Sequence, residues 1–374
     1  MKKKFVIVGP THPFKGGISH YTTLLYHELK KYHEVKFLSF SRQYPKLLFP
    51  GGSSFDDLSK KEIKADAERV IDWASPFSWI SAVKKIKNYS PDLIIFPWWM
   101  WGWAIPFWVI ASLSKKYGVK VLFICHNVDE HESAFWKRIL ARFALSSGDF
   151  YIVHSESEFK KLKNMFPEGK IEKVFHPSYE IFRFEEIPKT KAQEELGIKG
   201  KAILFFGYVR PYKGLIHLLK ALPKVLNEVP LTLVIAGEFW EGKEKYQKVI
   251  EDLKIKEHVK IYDGYVPNEK IGIYFSAVDL VVMPYTSATG TGITQIAFGF
   301  GKPIVGTNVG DLPEVIEHGR RGLIVPPADP EALAHAIIKC FKENLIETFS
   351  RNIQKDREIF SWEKLRKVIE SFTE

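Results

Sequence analysis

Runs of four to seven apolar residues, rich in β-branched and aromatic types, recur through the chain, each followed by a helix-length stretch that mixes polar and apolar positions. Continuous apolar runs of that length predict strands covered on both faces, and the stretches between them predict the covering helices. The repeating unit is the βαβ crossover, which builds a parallel sheet. In the first half the expected strands are residues 5–8, 35–39, 93–96, 119–125, 150–153 and 171–175. The pattern then restarts at 202–206, 231–236, 259–262, 280–283, 303–306 and 322–325. Two Rossmann-like domains follow from the restart, one over residues 1–180 and one over 181–360, joined through a stretch with Pro177, Pro188 and clustered charge. Residues 361–374 form a last amphipathic helix, with Trp362, Leu365, Val368, Ile369 and Phe372 on one face.

One segment competes with this scheme. Residues 93–113 carry no charge and are long enough for a membrane span. Pro97, Gly102 and Pro106 interrupt the run, so a buried strand, a loop and then a helix are expected. The basic opening is followed by an apolar stretch of only four residues before Gly9 and Pro10, too short for the core of a signal peptide.

At 374 residues, 45% of them hydrophobic and 26% charged, the chain can bury large cores, which excludes global disorder. Its two cysteines, Cys125 and Cys340, lie far apart, which fits a reducing cytoplasm and argues against a disulfide framework or a cysteine zinc site. Charge is uneven. Residues 1–185 hold 28 Lys and Arg against 19 Asp and Glu, a balance of 28 − 19 = +9, while residues 186–374 hold 26 against 25, or +1. With Trp98, Trp99, Trp101 and Trp103 in the same half, that excess suggests an anionic membrane surface as partner, against a plain solvated lysine-rich face. No helix-turn-helix, zinc-finger spacing or RNP-like aromatic motif points to nucleic acid.

Ligands of open α/β sheets sit beyond the carboxyl ends of strands, where loops meet helix N-termini. Four loops meet that description. In GPTHPFKGGIS, Gly16 and Gly17 let backbone approach a ligand at the start of a helix near Ile18, although an ordinary turn explains them as well. In FFGYVRPYKG, Arg210 offers a planar fork and Lys213 a point charge to a diphosphate, and cations there oppose the helix dipole, which weakens a purely structural reading. In SATGTGITQ, the backbone around Gly290, Gly292 and Ile293 and the hydroxyls of Ser287, Thr289 and Thr291 can cradle a pyrophosphate; a buried tight turn is the alternative. In CHNVDEHES, His126 stands at a strand end, with His131 and Glu132 as secondary candidates; His154 follows another strand and either lines a site or caps a helix with Ser155. There is no Asp-x-Asp pair to hold a divalent cation, and the spacing of His126, Asp129, His131 and Glu132 matches no standard metal site.

GYVRPYKG, AGEFW, DLVVMPY, GFGKPIVGTNVGDLPEVI and GLIVPPAD together resemble the nucleotide-binding half of group-1 glycosyltransferases, the retaining, GT-B-fold enzymes often called GT4. The first half resembles them in strand layout and in the Gly16-Gly17 and His126 loops. The resemblance implies two Rossmann-like domains facing across a cleft, the last helix returning to the first domain, and a sugar moved from a nucleotide diphosphate-sugar, UDP- or GDP-linked, without metal or other cofactor. It implies that Arg210, Lys213, the 287–293 loop and the Gly16-Gly17 turn bind the diphosphate, that His126 faces the sugar, and that Gly16 and Gly17 also line the junction with the acceptor. Gln295, Tyr265 and Val266 fall near the ribose and base, and Trp98, Trp99, His131 and Glu132 near a glycan or lipid-linked acceptor at the inner face of the membrane. The sequence departs from the family in two places. Tyr208 stands where an arginine is usual, with Arg210 two residues later, and Ala288 and Ile296 stand at the positions of two glutamates. Two other functions stay open: a nucleotide-sugar epimerase of the same build, and a sugar-nucleotide or glycan-binding protein without catalysis.

Overall fold

The computed structural model describes residues 2–43, 55–128, 135–240, 242–288 and 290–374. They form two compact units, Met1–Leu58 with Glu62–His176 and Ser361–Glu374, and Ser59–Lys61 with Pro177–Phe360.

The first unit is built on a parallel sheet. Its strands are β1 (Lys4–Val8), β2 (Glu34–Arg42), β3 (Ala67–Asp72), β4 (Leu93–Trp98), β5 (Lys120–Cys125), β6 (Phe150–Val153) and β7 (Lys170–Lys173), in the order β3-β2-β1-β4-β5-β6-β7. Successive side chains alternate between the two faces. Val6, Val8, Ile94, Phe96, Val121 and Phe123 pack under helices α2 (Pro76–Tyr89), α3 (Ala104–Lys115) and α4 (Phe135–Leu145). Phe5, Ile7, Leu93, Ile95, Leu122 and Ile124 pack under α1 (Gly17–Lys30) and α14 (Trp362–Ser371). Both faces are dry, which is why these strands read as unbroken apolar runs. The last helix packs on α1, and Arg366 of α14 reaches Glu28 of α1 at 3.2 Å.

Strand β3 is absent from the sequence expectation. It is an edge strand in which only Ile71 is fully buried, so its residues AERVID carry little apolar signal. The uncharged stretch 93–113 resolves as expected, into β4, a short 3-10 turn at Trp101–Trp103 and α3. Among the described residues no helix is long and apolar enough to cross a membrane.

The second unit repeats the plan with β8 (Ala202–Phe206), β9 (Thr232–Gly237), β10 (Val259–Asp263), β11 (Leu280–Met283), β12 (Ile304–Thr307) and β13 (Gly322–Val325), ordered β10-β9-β8-β11-β12-β13 and all parallel. Helix α7 (Leu215–Glu228) buries Leu215, Leu218, Leu222 and Val225, a stripe at helical spacing, against α12 (Pro330–Lys342) and the sheet. Full burial of each such side chain contributes about 1.5–3 kcal/mol.

In this order the chain runs outward from β8 through β9 to β10, then returns to the other side of β8 as β11. The connections after β8 and β11 therefore diverge and leave a crevice at the carboxyl end of the sheet. Those two connections are the FFGYVRPYKG and SATGTGITQ loops.

Candidate active site

The β8 connection turns on glycines. Gly207 has φ 91°, and a Cβ there would lie 3.0 Å from both Lys213 Nζ and Ile293 Cδ1. Only a bare backbone lets the end of β8, the lysine and the start of α10 (Gly292–Gly299) come together. Gly214, at φ 67°, closes the one-turn helix Pro211–Lys213 and lies so close to the β11 connection that a Cβ would fall 1.9 Å from the Pro284 carbonyl oxygen. The Thr286 amide donates to the Tyr212 carbonyl at 2.7 Å, which ties the two loops to each other.

Lys213 is 7% exposed. Burial, and the positive charge of Arg210 beside it, bring its ammonium pKa down from 10.5 to about 7. Its Nζ lies 5.6 Å from the centre of the Tyr285 ring, and no carboxylate pairs with it among the described residues. The Arg210 guanidinium lies 4.8 Å from the Trp240 ring centre and 5.4 Å from that of Tyr212, so its planar fork is held between aromatic faces. Tyr208, at the position where the family has an arginine, packs on Trp240 instead, with ring centres 4.7 Å apart.

Across the crevice, Thr291 caps α10 by accepting from the Ile293 amide at 3.3 Å. Ser287 and Gly290 are exposed, and Thr291 and Gly292 are half-buried; Thr289 lies outside the described residues. Gln295 is buried within α10, where it donates to the Thr294 hydroxyl at 3.2 Å and its Oε1 has no hydrogen-bond partner among the described residues. Ala288 and Ile296 are both buried. Tyr265 and Val266 are half-buried and follow β10, the edge strand two places from β8.

Sequence reasoning missed Asp311. It is 8% exposed at the start of α11 (Leu312–Ile316), and its Oδ2 lies 3.3 Å from the place a Cβ on Gly290 would take. Its negative charge adds slightly to the rise in the Tyr285 phenol pKa, which comes mainly from burial. Twenty-one positions separate Asp311 from Gly290, and no local motif announces the contact.

In the first unit the strand ends gather histidines. His126 follows β5, and its amide donates to the Trp98 carbonyl at 2.8 Å. Its ring meets Tyr21 edge-on at 4.4 Å and lies 5.3 Å from His154 and 6.0 Å from His176. Burial and the two neighbouring histidines hold its pKa well below 6.5, so the ring is neutral, and its Nε2 has no hydrogen-bond partner among the described residues. His154 bonds the Val174 carbonyl through Nδ1 at 2.8 Å, and burial lowers its pKa to about 4. Ser155, not His154, caps the following helix.

Gly16 has φ 110° and precedes α1, with open space where its Cβ would be; Gly17 opens that helix. Trp98 is 1% exposed and donates through Nε1 to the Val128 carbonyl at 3.3 Å, which makes it a core residue and no contact surface for an acceptor. Trp99 and Trp101 are half-buried. His131 and Glu132 lie outside the described residues, as does Asp129. Among the described residues no three His, Cys, Asp or Glu side chains are grouped to hold a metal ion.

Residues 186–358 match the family described as Glycosyl transferases group 1, and residues 15–176 match Glycosyltransferase Family 4. An uncharacterized glycosyltransferase of Methanocaldococcus jannaschii is 27% identical over 54% of this chain, a match that spans about half (53%) of that relative. The D-inositol 3-phosphate glycosyltransferase of Corynebacterium jeikeium is 27% identical over 76% of this chain and 71% of its own length. A GDP-mannose-dependent alpha-(1-6)-phosphatidylinositol monomannoside mannosyltransferase of Mycolicibacterium smegmatis is 24% identical over 87% and 85%. Among solved structures, Alr3699/HepE of Anabaena, in complex with UDP, superposes over the whole of both chains with a TM-score of 0.74 at 18% identity, a likeness of fold. The crevice at the β8 and β11 ends and the two matched halves lead to one assignment: the chain belongs to the group 1 glycosyltransferases and has the GT-B fold.

Proposed function

We propose that this chain transfers a sugar, with retention of configuration, from a nucleoside diphosphate sugar to a glycan or lipid-linked glycan acceptor. The observation that carries the reading is Lys213. A buried ammonium with no carboxylate to pair with among the described residues, set beside the start of α10, is costly unless an anion fills the site. Lys213 and Arg210 supply positive charge to the diphosphate as it departs, and the α10 amides and the 287–292 loop bind its oxygens. These groups provide the neutralisation that a divalent cation brings elsewhere, so transfer is expected to proceed without added metal. Names of relatives support both donor types under consideration, since one is GDP-mannose-dependent and one related structure holds UDP.

Asp311, beside Gly290, supplies a carboxylate to a crevice in which Ala288 and Ile296 stand at the two glutamate positions. A carboxylate repels a diphosphate, so within the crevice it suits the sugar end, where it accepts from a hydroxyl. In the first unit, His126 offers a neutral imidazole whose Nε2 is buried and has no hydrogen-bond partner among the described residues, which suits it to a sugar hydroxyl.

Thermal unfolding with UDP, GDP, ADP and dTDP tests the donor site. A ligand that binds only the folded protein raises its Tm, and one of the four is expected to do so. No shift with any of them, and no turnover of UDP- or GDP-sugars, would leave the reading without support. Binding without turnover against any acceptor would favour a binding protein, and turnover of the donor alone an epimerase. A second variant addresses the sugar contact. Asp311→Asn is expected to lower kcat/KM by about 10–100-fold, the loss of one hydrogen bond to a charged group, while nucleoside diphosphate binding stays within a few-fold. Tighter nucleoside diphosphate binding in the variant would place Asp311 at the phosphates instead, because the repulsion would be gone, and equal losses in both measurements would place it at the nucleoside.

A further inference from the structure

Helix α4 turns Ala141, Ala144 and Leu145 toward the sheet. Its outer face is not polar. Phe135 is 78% exposed, Ile139 52% and Phe143 39%, spaced four apart and so on one line, with Trp136 at 47% beside them. Trp101 meets Trp136 edge-on at 4.8 Å, and Trp108 of α3 stacks on Phe143 at 4.6 Å, so the apolar stripe continues off the helix. Arg138 and Arg142, also four apart, run along the adjoining line and are exposed. Lys137 Nζ lies 5.8 Å from the ring centres of both Trp101 and Trp136. The eleven residues of α4 hold three cations and no acid.

We propose that α4, with Trp101 and Trp108, is a docking surface for an anionic lipid bilayer, in which the helix lies in the plane of the headgroups. Phe135, Trp136, Ile139 and Phe143 enter the boundary between headgroups and acyl chains. Arg138 and Arg142 lay their stems along the same surface and pair with lipid phosphates. Charge decides between a bilayer and a second copy of this chain. Helix α4 carries three cations and no acid, so two copies of it repel each other, and residues 1–185 as a whole carry an excess of 28 − 19 = +9, whereas anionic headgroups attract both. The Trp-rich loop expected from sequence to fill this role does so only in part. Trp98 and Trp103 belong to the core, and the contact passes to a helix whose exposure no local pattern revealed.

The surface deepens the reading of a membrane-borne acceptor, yet its test needs no donor or acceptor, so either can fail alone. In vesicle flotation at physiological salt, the protein is expected to rise with phosphatidylcholine–phosphatidylglycerol vesicles and to stay behind with phosphatidylcholine alone. Ile139→Ser/Phe143→Ser and Arg138→Glu/Arg142→Glu should each reduce the bound fraction about tenfold or more, with Tm lowered by no more than a few degrees, since Phe143 gives up its stack on Trp108 while Ile139, Arg138 and Arg142 are exposed. The proposal is overturned if the unaltered protein ignores anionic vesicles or if both double variants float as it does. It is equally overturned if light scattering shows a dimer that Ile139→Ser/Phe143→Ser converts to monomer.

Discussion

Lys213→Met is expected to lower kcat/KM for sugar transfer by about 10²–10³-fold, the usual consequence of removing one group aimed at charge that develops in the transition state. Nucleoside diphosphate binding should weaken with it. Fold failure can be separated from site failure, because methionine keeps most of the lysine stem and removes a buried charge, so the unliganded variant should melt no lower than the parent. The pH dependence carries the same signature. In the folded protein the Lys213 pKa is lowered from 10.5 to about 7, so between those values the unfolded chain holds a proton that the folded chain has released. Stability of the unliganded protein therefore gains from this group as pH rises through the window, and Lys213→Met should remove that gain. A bound diphosphate draws the pKa back up. Binding should take up a proton near neutral pH and weaken as pH rises above about 7. Calorimetry in buffers of different ionisation enthalpy reads the uptake directly, and zero uptake would show that Lys213 does not meet the anion.

Gly214→Ala should be among the most damaging single-methyl changes in the second unit. The added Cβ would sit 1.9 Å from the Pro284 carbonyl oxygen and 2.9 Å from its carbon, both backbone atoms that no side-chain rotation can clear, on a residue held at φ 67°. Left-handed backbone costs a non-glycine residue roughly 1–2 kcal/mol, and displacement of two stitched loops adds to it, for a total of about 3 kcal/mol or more. Tm is expected to fall by roughly 5–10 °C, and the nucleotide-induced rise should shrink as well, since the displaced loops carry Lys213 and the start of α10. Gly301→Ala is the control. Its φ is 64° but nothing lies within 4 Å of its Cβ position, so it should lose only the backbone part and keep the nucleotide response.

The two sheets and the helix that returns to the first were legible in the chain because a strand dry on both faces leaves an apolar run that period alone can find; β11 and β13 fall on residues 280–283 and 322–325 as expected. Strand β3 escaped because an edge strand with one fully buried residue leaves no such run. The loop holding Arg210 and Lys213 was also legible, since glycines and cations after a strand are local features. The depth of Lys213 was not. Its lowered pKa arises from burial, with Arg210 beside it, at a place where Gly207 and Ile293, 86 positions apart in the chain, come close to the same point. Asp311 beside Gly290 and the apolar outer face of α4 belong to the same class. A periodic sequence states which residues prefer to be buried, whereas the neighbours of a buried charge, and the apolar groups left in water, follow from how distant segments fill space around one another.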